Sequence, residues 1–168
     1  MIKFNARCYA LIISNQGRLL VMKELWQGVS LQKLPGGGLE LGEGLIECLD
    51  REIKEEFKLW SPLDWSHFYI PTHAFSSRFK PNEQLLLNYF MASNLVNEED
   101  WAIIDHDPNL IEMIWLPLEA KQASWFSLES DRAAFLKLVR LKTQSKANYF
   151  SEFVVELFRF FSSPIPFI

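Results

Sequence analysis

Three glutamates on one short stretch are the residues of this chain best placed to do chemistry. In the run Arg51-Glu52-Ile53-Lys54-Glu55-Glu56, Glu52 and Glu56 lie four residues apart and Glu55 lies three from Glu52. On a helix all three project toward overlapping parts of one face. Like charges at that spacing repel by roughly 0.2–0.5 kcal/mol per pair, and a divalent cation bound among them turns repulsion into coordination. Carboxylate oxygens suit magnesium, manganese or calcium better than zinc. A Glu-rich helix taken alone reads as a solvated face. The stretch before it argues otherwise, because Pro35, Gly36, Gly37, Gly38, Gly42 and Gly44 crowd together there. Glycines permit positive φ and close approach of backbone to a ligand, and unpaired N–H groups at a helix start favour anions. Gly36, Gly37 and Gly38 are therefore the candidate phosphate loop. A metal cluster beside such a loop points to metal-assisted chemistry on a phosphoanhydride.

These residues resemble the signature of the Nudix hydrolases: Gly, five residues, Glu, seven residues, then Arg-Glu-apolar-any-Glu-Glu-any-Gly-apolar. Gly37, Glu43, Arg51, Glu52, Ile53, Glu55, Glu56 and Leu59 match it. Lys58 stands where the family has glycine, which predicts either a strained φ at Lys58 or a helix running on toward Ser61-Pro62. The resemblance implies the Nudix fold, a mixed sheet sandwiched between helices. It also implies hydrolysis of a nucleoside diphosphate linked to another group, with a nucleotide sugar, ADP-ribose or a nucleoside triphosphate as substrate. By motif position, Glu52, Glu55 and Glu56 become ligands of Mg2+ or Mn2+, joined by the carbonyl of a loop glycine such as Gly37. Glu43 and Arg51 become a pair holding the loop against the helix. The general base is left open between the helix glutamates Glu55 and Glu52 and a distant acid: Glu98, Glu99, Asp105, Asp107 or Glu112. Glu112 has the best claim of the distant group through its place before Trp115. The alternative is a Nudix-like nucleotide-binding or regulatory module without turnover, against which the full glutamate set argues.

The elements that must position these groups follow from local pattern. Arg7–Ser14 and Arg18–Lys23 are apolar, β-prone runs around Asn15-Gln16-Gly17, which predicts a hairpin. Leu31–Leu34 leads into Pro35 and the glycines. A helix is expected from Gly42 or Glu43 to Phe57, its stripe Ile46, Leu49, Ile53 and Phe57 packing on a sheet while the acidic face stays accessible. Trp65–Arg78 and Gln84–Ala92 read as a second hairpin, 97–109 as a loop, and Glu112–Leu118 as a last strand similar to the closing strand of Nudix domains. Helices over about 129–143 and 148–161 complete the chain. This order suggests an α/β sandwich around a mixed sheet: one domain over 1–168, with its core at about 5–120.

With 168 residues, about half of them apolar, the chain is long enough for one substantial core. A net charge of −4 argues against a nucleic-acid polymer as partner and leaves a small nucleotide compatible. Cys8 and Cys48 are expected as buried free thiols, which places the chain in the cytosol. Neither end reads as a targeting segment or a membrane span. The stripe Phe150, Phe153, Val154, Leu157, Phe158 and Phe161 reads as an amphipathic helix on its own domain, with a homodimer contact as the next alternative. Trp26, Phe75, Phe79 and Trp101 are candidates for stacking on a base, though core or loop packing is the ordinary reading of each. Arg78 and Lys80 are candidates for a phosphate or plain surface charges. His67, His73 and His106 show no metal-ligand spacing.

Overall fold

β1 (Lys3–Leu11) sends alternate side chains to opposite faces, and both faces are covered. Cys8, Ala10 and Ile12 join a core with Cys48, Leu49, Ile53 and Phe57, whereas Tyr9 and Leu11 join a second core with Phe126, Ala134 and Phe135. β2 (Arg18–Trp26) divides the same way, Leu20 and Met22 to the first core and Leu19 and Val21 to the second. Strands apolar on both faces need a layer on each side. The computed structural model, which describes residues 3–58, 62–104 and 108–144, supplies them: α1 (Leu45–Glu56) on one side and α2 (129–144) on the other. The expected α/β/α sandwich is thus observed.

The remaining strands are β3 (Val29–Lys33), β4 (Gly36–Gly38), β5 (Phe57–Lys58), β6 (Trp65–Tyr69), β7 (Phe75–Ser76), β8 (Glu83–Ala92), β9 (Ala102–Ile103) and β10 (Leu110–Pro117). One sheet runs β4-β1-β8-β6, with β7 also on β8; another runs β10-β2-β3; β5 and β9 form a pair. β1 and β8 are parallel and the other pairings are antiparallel, so the sheet system is mixed.

Five expectations change. β1 and β2 share only a bridge at Ile13 and Leu19 beside the Asn15–Gly17 turn, then part into different sheets. Each finds better cover there, β1 between β4 and β8 and β2 between β10 and β3. The tight hairpin instead joins β2 to β3 through Gln27 and Gly28, both at positive φ. The stripe of α1 is Cys48, Leu49 and Ile53 continued by Phe57, while Ile46 is 40% exposed. Lys58 neither strains nor extends the helix: Phe57 leaves it at φ −133°, ψ 144°, and Phe57-Lys58 pairs with Ile103 and Ala102. That pairing also puts a short strand inside the expected 97–109 loop. The second hairpin is present with its first strand broken into β6 and β7, and the helix expected at 148–161 lies outside the described residues. Both cysteines are free and buried, and no described helix is long and apolar enough to cross a membrane.

One buried acid on α2 holds the approach to the glycines. Asp131 accepts the Leu34 N–H and the Tyr89 hydroxyl, each at 2.9 Å, and is itself 0% exposed. Replacing it by Ala strands the Leu34 N–H in the core, at about 1–3 kcal/mol, and leaves the Tyr89 hydroxyl to Ser130. Asp131→Ala is expected to lower the urea midpoint accordingly, and an unchanged midpoint would contradict the contact.

Candidate active site

α1 brings the glutamates against β4, but not as one open face. Glu56 is 8% exposed; its Oε2 accepts the Gly36 N–H at 3.0 Å and its Oε1 lies 3.5 Å from Lys33 Nζ. Glu52 rests on Gly37 so closely that a Cβ there would lie 2.3 Å from its carboxylate. Glu55 remains open, with 59% of its side chain exposed. Arg51 ties the group together. Its Nε and Nη2 grip Glu43 at 2.6 and 3.1 Å, Nη2 also donates to the Gly38 carbonyl at 2.9 Å, and Nη1 reaches Glu52 and Glu55 at 3.0 and 3.1 Å. Two-point guanidinium–carboxylate contacts fix orientation as well as charge. Glu43 also accepts the Glu40 N–H at 3.0 Å, so the connection from β4 to α1 is fastened to the helix.

Burial sets the electrostatics. It pushes the Glu56 carboxyl up to about 8, against the pull of Lys33. Glu52 is raised for the same reason, opposed by Arg51. Burial also works against the Lys33 ammonium, but Glu56 and Glu24 outweigh it and hold the charge on. Lys33 Nζ lies 2.5 Å from Glu24 Oε2 and 3.0 Å from the Gly36 carbonyl oxygen.

A cleft of about 350 Å³ adjoins this group through Arg7, Glu24 and Lys33. Its outer part carries Trp26, Phe75 and Phe79 together with Arg78 and Lys80, so five of the residues singled out for base or phosphate contact share one cavity. Trp26 and Phe79 meet edge to face at 6.5 Å. Trp101 does not join them; it is 7% exposed and packs on Phe57 and Trp115 in the α1 core.

The model of the NUDIX domain family matches residues 3–138, most of the chain. The chain belongs to the Nudix family. That membership makes it a Nudix-type pyrophosphohydrolase. Solved structures agree on the fold. A MutT protein from Methanosarcina mazei Go1 superposes with a TM-score of 0.66 at 21% identity, covering 84% of this chain and 96% of that one. The E. coli ORF135 protein gives 0.62 at 14% identity, covering 84% and 92%. A protein described as an ADP compounds hydrolase gives 0.58 at 18%, covering 83% and 74%. A comparison with curated proteins finds no significant match.

Within this Nudix domain the glycines sit differently from the sequence expectation. Gly36–Gly38 form an edge strand on β1 instead of a loop at a helix start, and the first turn of α1 is occupied by Glu47, which accepts the Gly44 N–H at 2.7 Å. The carbonyl facing the buried charges is that of Gly36, not Gly37. Glu112 is not brought to the glutamates: it pairs with Lys23 at 2.6 Å, and strand alternation turns Lys23 to the face opposite Glu24. Glu98 is engaged by Ser14 and Arg18, Glu99 lies beside it on a short exposed turn, and Asp105 and Asp107 fall outside the described residues. Leu59 of the signature is outside them as well. Sequence reading passed over Lys33 and Arg7, whose signal was a cation at an inward position of an apolar strand. Arg7 donates through Nε to the Tyr9 hydroxyl at 2.8 Å and lines the cleft.

The donor set of this Nudix helix fits a hard divalent cation in chemistry, being all oxygen, mutually repelling and seated against a glycine backbone. As placed, no three His, Cys, Asp or Glu side chains among the described residues converge on one ion; the carboxylates turn to Arg51 and Lys33. Stability should report their burial. Glu56 and Asp131 titrate at about 8 and about 6 in the folded chain against ordinary values of 4.5 and 3.8. A raised folded pKa gives stability that is full below the ordinary value and lost as pH rises through the folded one. Glu43, lowered mainly by Arg51, acts below that window. In chelator, Tm is expected to fall between about pH 4.5 and 8; a flat or rising Tm across that window would contradict the buried placement.

Proposed function

We propose that this chain hydrolyses a phosphoanhydride bond in a nucleoside diphosphate linked to another group, with Mg2+ or Mn2+ as cofactor. The observation that carries the reading is the glutamate set of the signature, with Glu52 and Glu56 packed against Gly36 and Gly37 and Glu56 joined through Lys33 to a cleft that combines cations with aromatic faces. Glu52, Glu55 and Glu56 would hold the cation, with the Gly36 carbonyl as the backbone oxygen nearest to them. A divalent cation bound there neutralises charge on the phosphate oxygens and lowers the pKa of water. Glu52 is the better base of the two helix candidates, because burial moves its pKa toward the working pH while Glu55 stays in solvent. Arg51 and Glu43 orient these side chains. Arg7 and Lys33 would meet the diphosphate, and Trp26, Phe75 and Phe79 the base, with Arg78 and Lys80 at the rim. We take the chain to act as one domain on free nucleotides; two buried free thiols favour a reducing compartment such as the cytosol.

The test is a hydrolysis screen of purified protein with Mg2+ or Mn2+ against nucleotide sugars, ADP-ribose, other ADP-linked compounds and nucleoside triphosphates. The structural neighbour described as an ADP compounds hydrolase puts the ADP-linked group first. Activity on one class that Glu56→Gln lowers by at least tenfold is expected. Undiminished turnover by a folded Glu56→Gln would remove the metal role of that residue.

A further inference from the structure

Lys33 is a lysine where a metal ion would be at home. It lies on β3 with Leu31, both turned inward, and is 6% exposed. An ammonium has three protons to donate and no acceptor. Here it faces three oxygens: Glu24 Oε2 at 2.5 Å, the Gly36 carbonyl at 3.0 Å and Glu56 Oε1 at 3.5 Å. The partners come from β2, the first residue of β4 and the last residue of α1, so the position is built by the tertiary fold and not by one acidic run. Two carboxylates and a carbonyl are also what a hard divalent cation takes. The group opens to the cleft, since Glu24 and Lys33 both line it.

We propose that the Lys33 ammonium is a built-in cation at a position that would otherwise accept a divalent metal ion, so that the chain binds one ion fewer and keeps a fixed positive charge facing the substrate diphosphate. This rests on the proposed metal-dependent hydrolysis for its meaning, since Glu56 is shared. Removing the ammonium leaves Glu24 and Glu56 facing each other in a buried place. Two buried negative charges must then be protonated or neutralised by another cation, and a divalent ion supplies the matching charge. Methionine retains the length and apolar packing of the lysine stem without its charge.

The test counts Mn2+ ions bound per full chain, from the electron paramagnetic resonance signal of free Mn2+, in wild type, Lys33→Met and the double variant Lys33→Met/Glu24→Gln. Lys33→Met is expected to bind one ion more than wild type, and the double variant to return to the wild-type count. Equal counts for wild type and Lys33→Met, or an extra ion that survives Glu24→Gln, overturn the proposal. If Lys33→Met is unfolded without metal, Mn2+ is expected to restore its near-ultraviolet circular dichroism, and failure to do so overturns it equally. The wild-type count tests the parent reading, whereas the difference between counts tests this one.

Discussion

Glu52→Gln is expected to lower kcat/KM by about a hundred- to a thousand-fold, roughly 3–4 kcal/mol of transition-state stabilisation, while the protein stays folded. Glu52 lies against the Gly37 backbone and receives Arg51 Nη1 at 3.0 Å. Glutamine keeps the volume and one acceptor oxygen for Arg51, so packing survives. What disappears is the charge, and with it both the metal-ligand role and the capacity to take a proton from water. Burial raises the pKa of this carboxyl, so the folded chain loses a partly disfavoured charge, and Tm should hold or rise slightly. The decisive comparison is steady-state kinetics with a melting curve on the same preparation. Wild-type kcat/KM in a folded variant would end the assignment of Glu52 to the reaction.

Gly36→Ala is expected to cost about 2–6 kcal/mol of stability, combining the strain of a forbidden φ with overpacking. That is comparable to the whole stability of an ordinary domain, about 5–15 kcal/mol. Gly36 has φ +121°, and a Cβ there would lie 2.2 Å from the Cys8 carbonyl oxygen and 3.0 Å from the Tyr9 Cα. Both obstacles are backbone atoms of β1, the strand to which Gly36 is paired, so neither can yield without opening that edge of the sheet. Gly37→Ala is the contrasting variant. The atoms nearest its Cβ belong to the Glu52 carboxylate, the far end of a flexible side chain, so the fold should tolerate it while catalysis suffers from the displaced glutamate. Denaturant midpoints for the two variants measure the difference. A Gly36→Ala protein with the wild-type midpoint would show that β1 and β4 are not paired as described.

How much of this was legible beforehand depends on the range of each interaction. The spacing of Glu52, Glu55 and Glu56, the strands β1, β2, β8 and β10, and helices over about 42–57 and 129–143 all follow from patterns a few residues long, and the order of these elements suggests the sandwich. Helix and strand geometry act over that distance, so the amino-acid sequence by itself determined them, and the Nudix signature with them. Which sheet β2 enters was not local: the Asn15–Gly17 turn is real, but cover from β3 and β10 decides the pairing. Nor did helical spacing reveal that Glu56 is buried under Gly36 and Lys33 while Glu55, its neighbour, faces solvent. The cleft likewise joins Arg7, Trp26, Lys33 and Phe79 from separate stretches, and Asp131 reaches back across the chain to Leu34. Tertiary structure alone decided these features, because the cost of burying a charge and the partner that offsets it are set by neighbours distant in sequence.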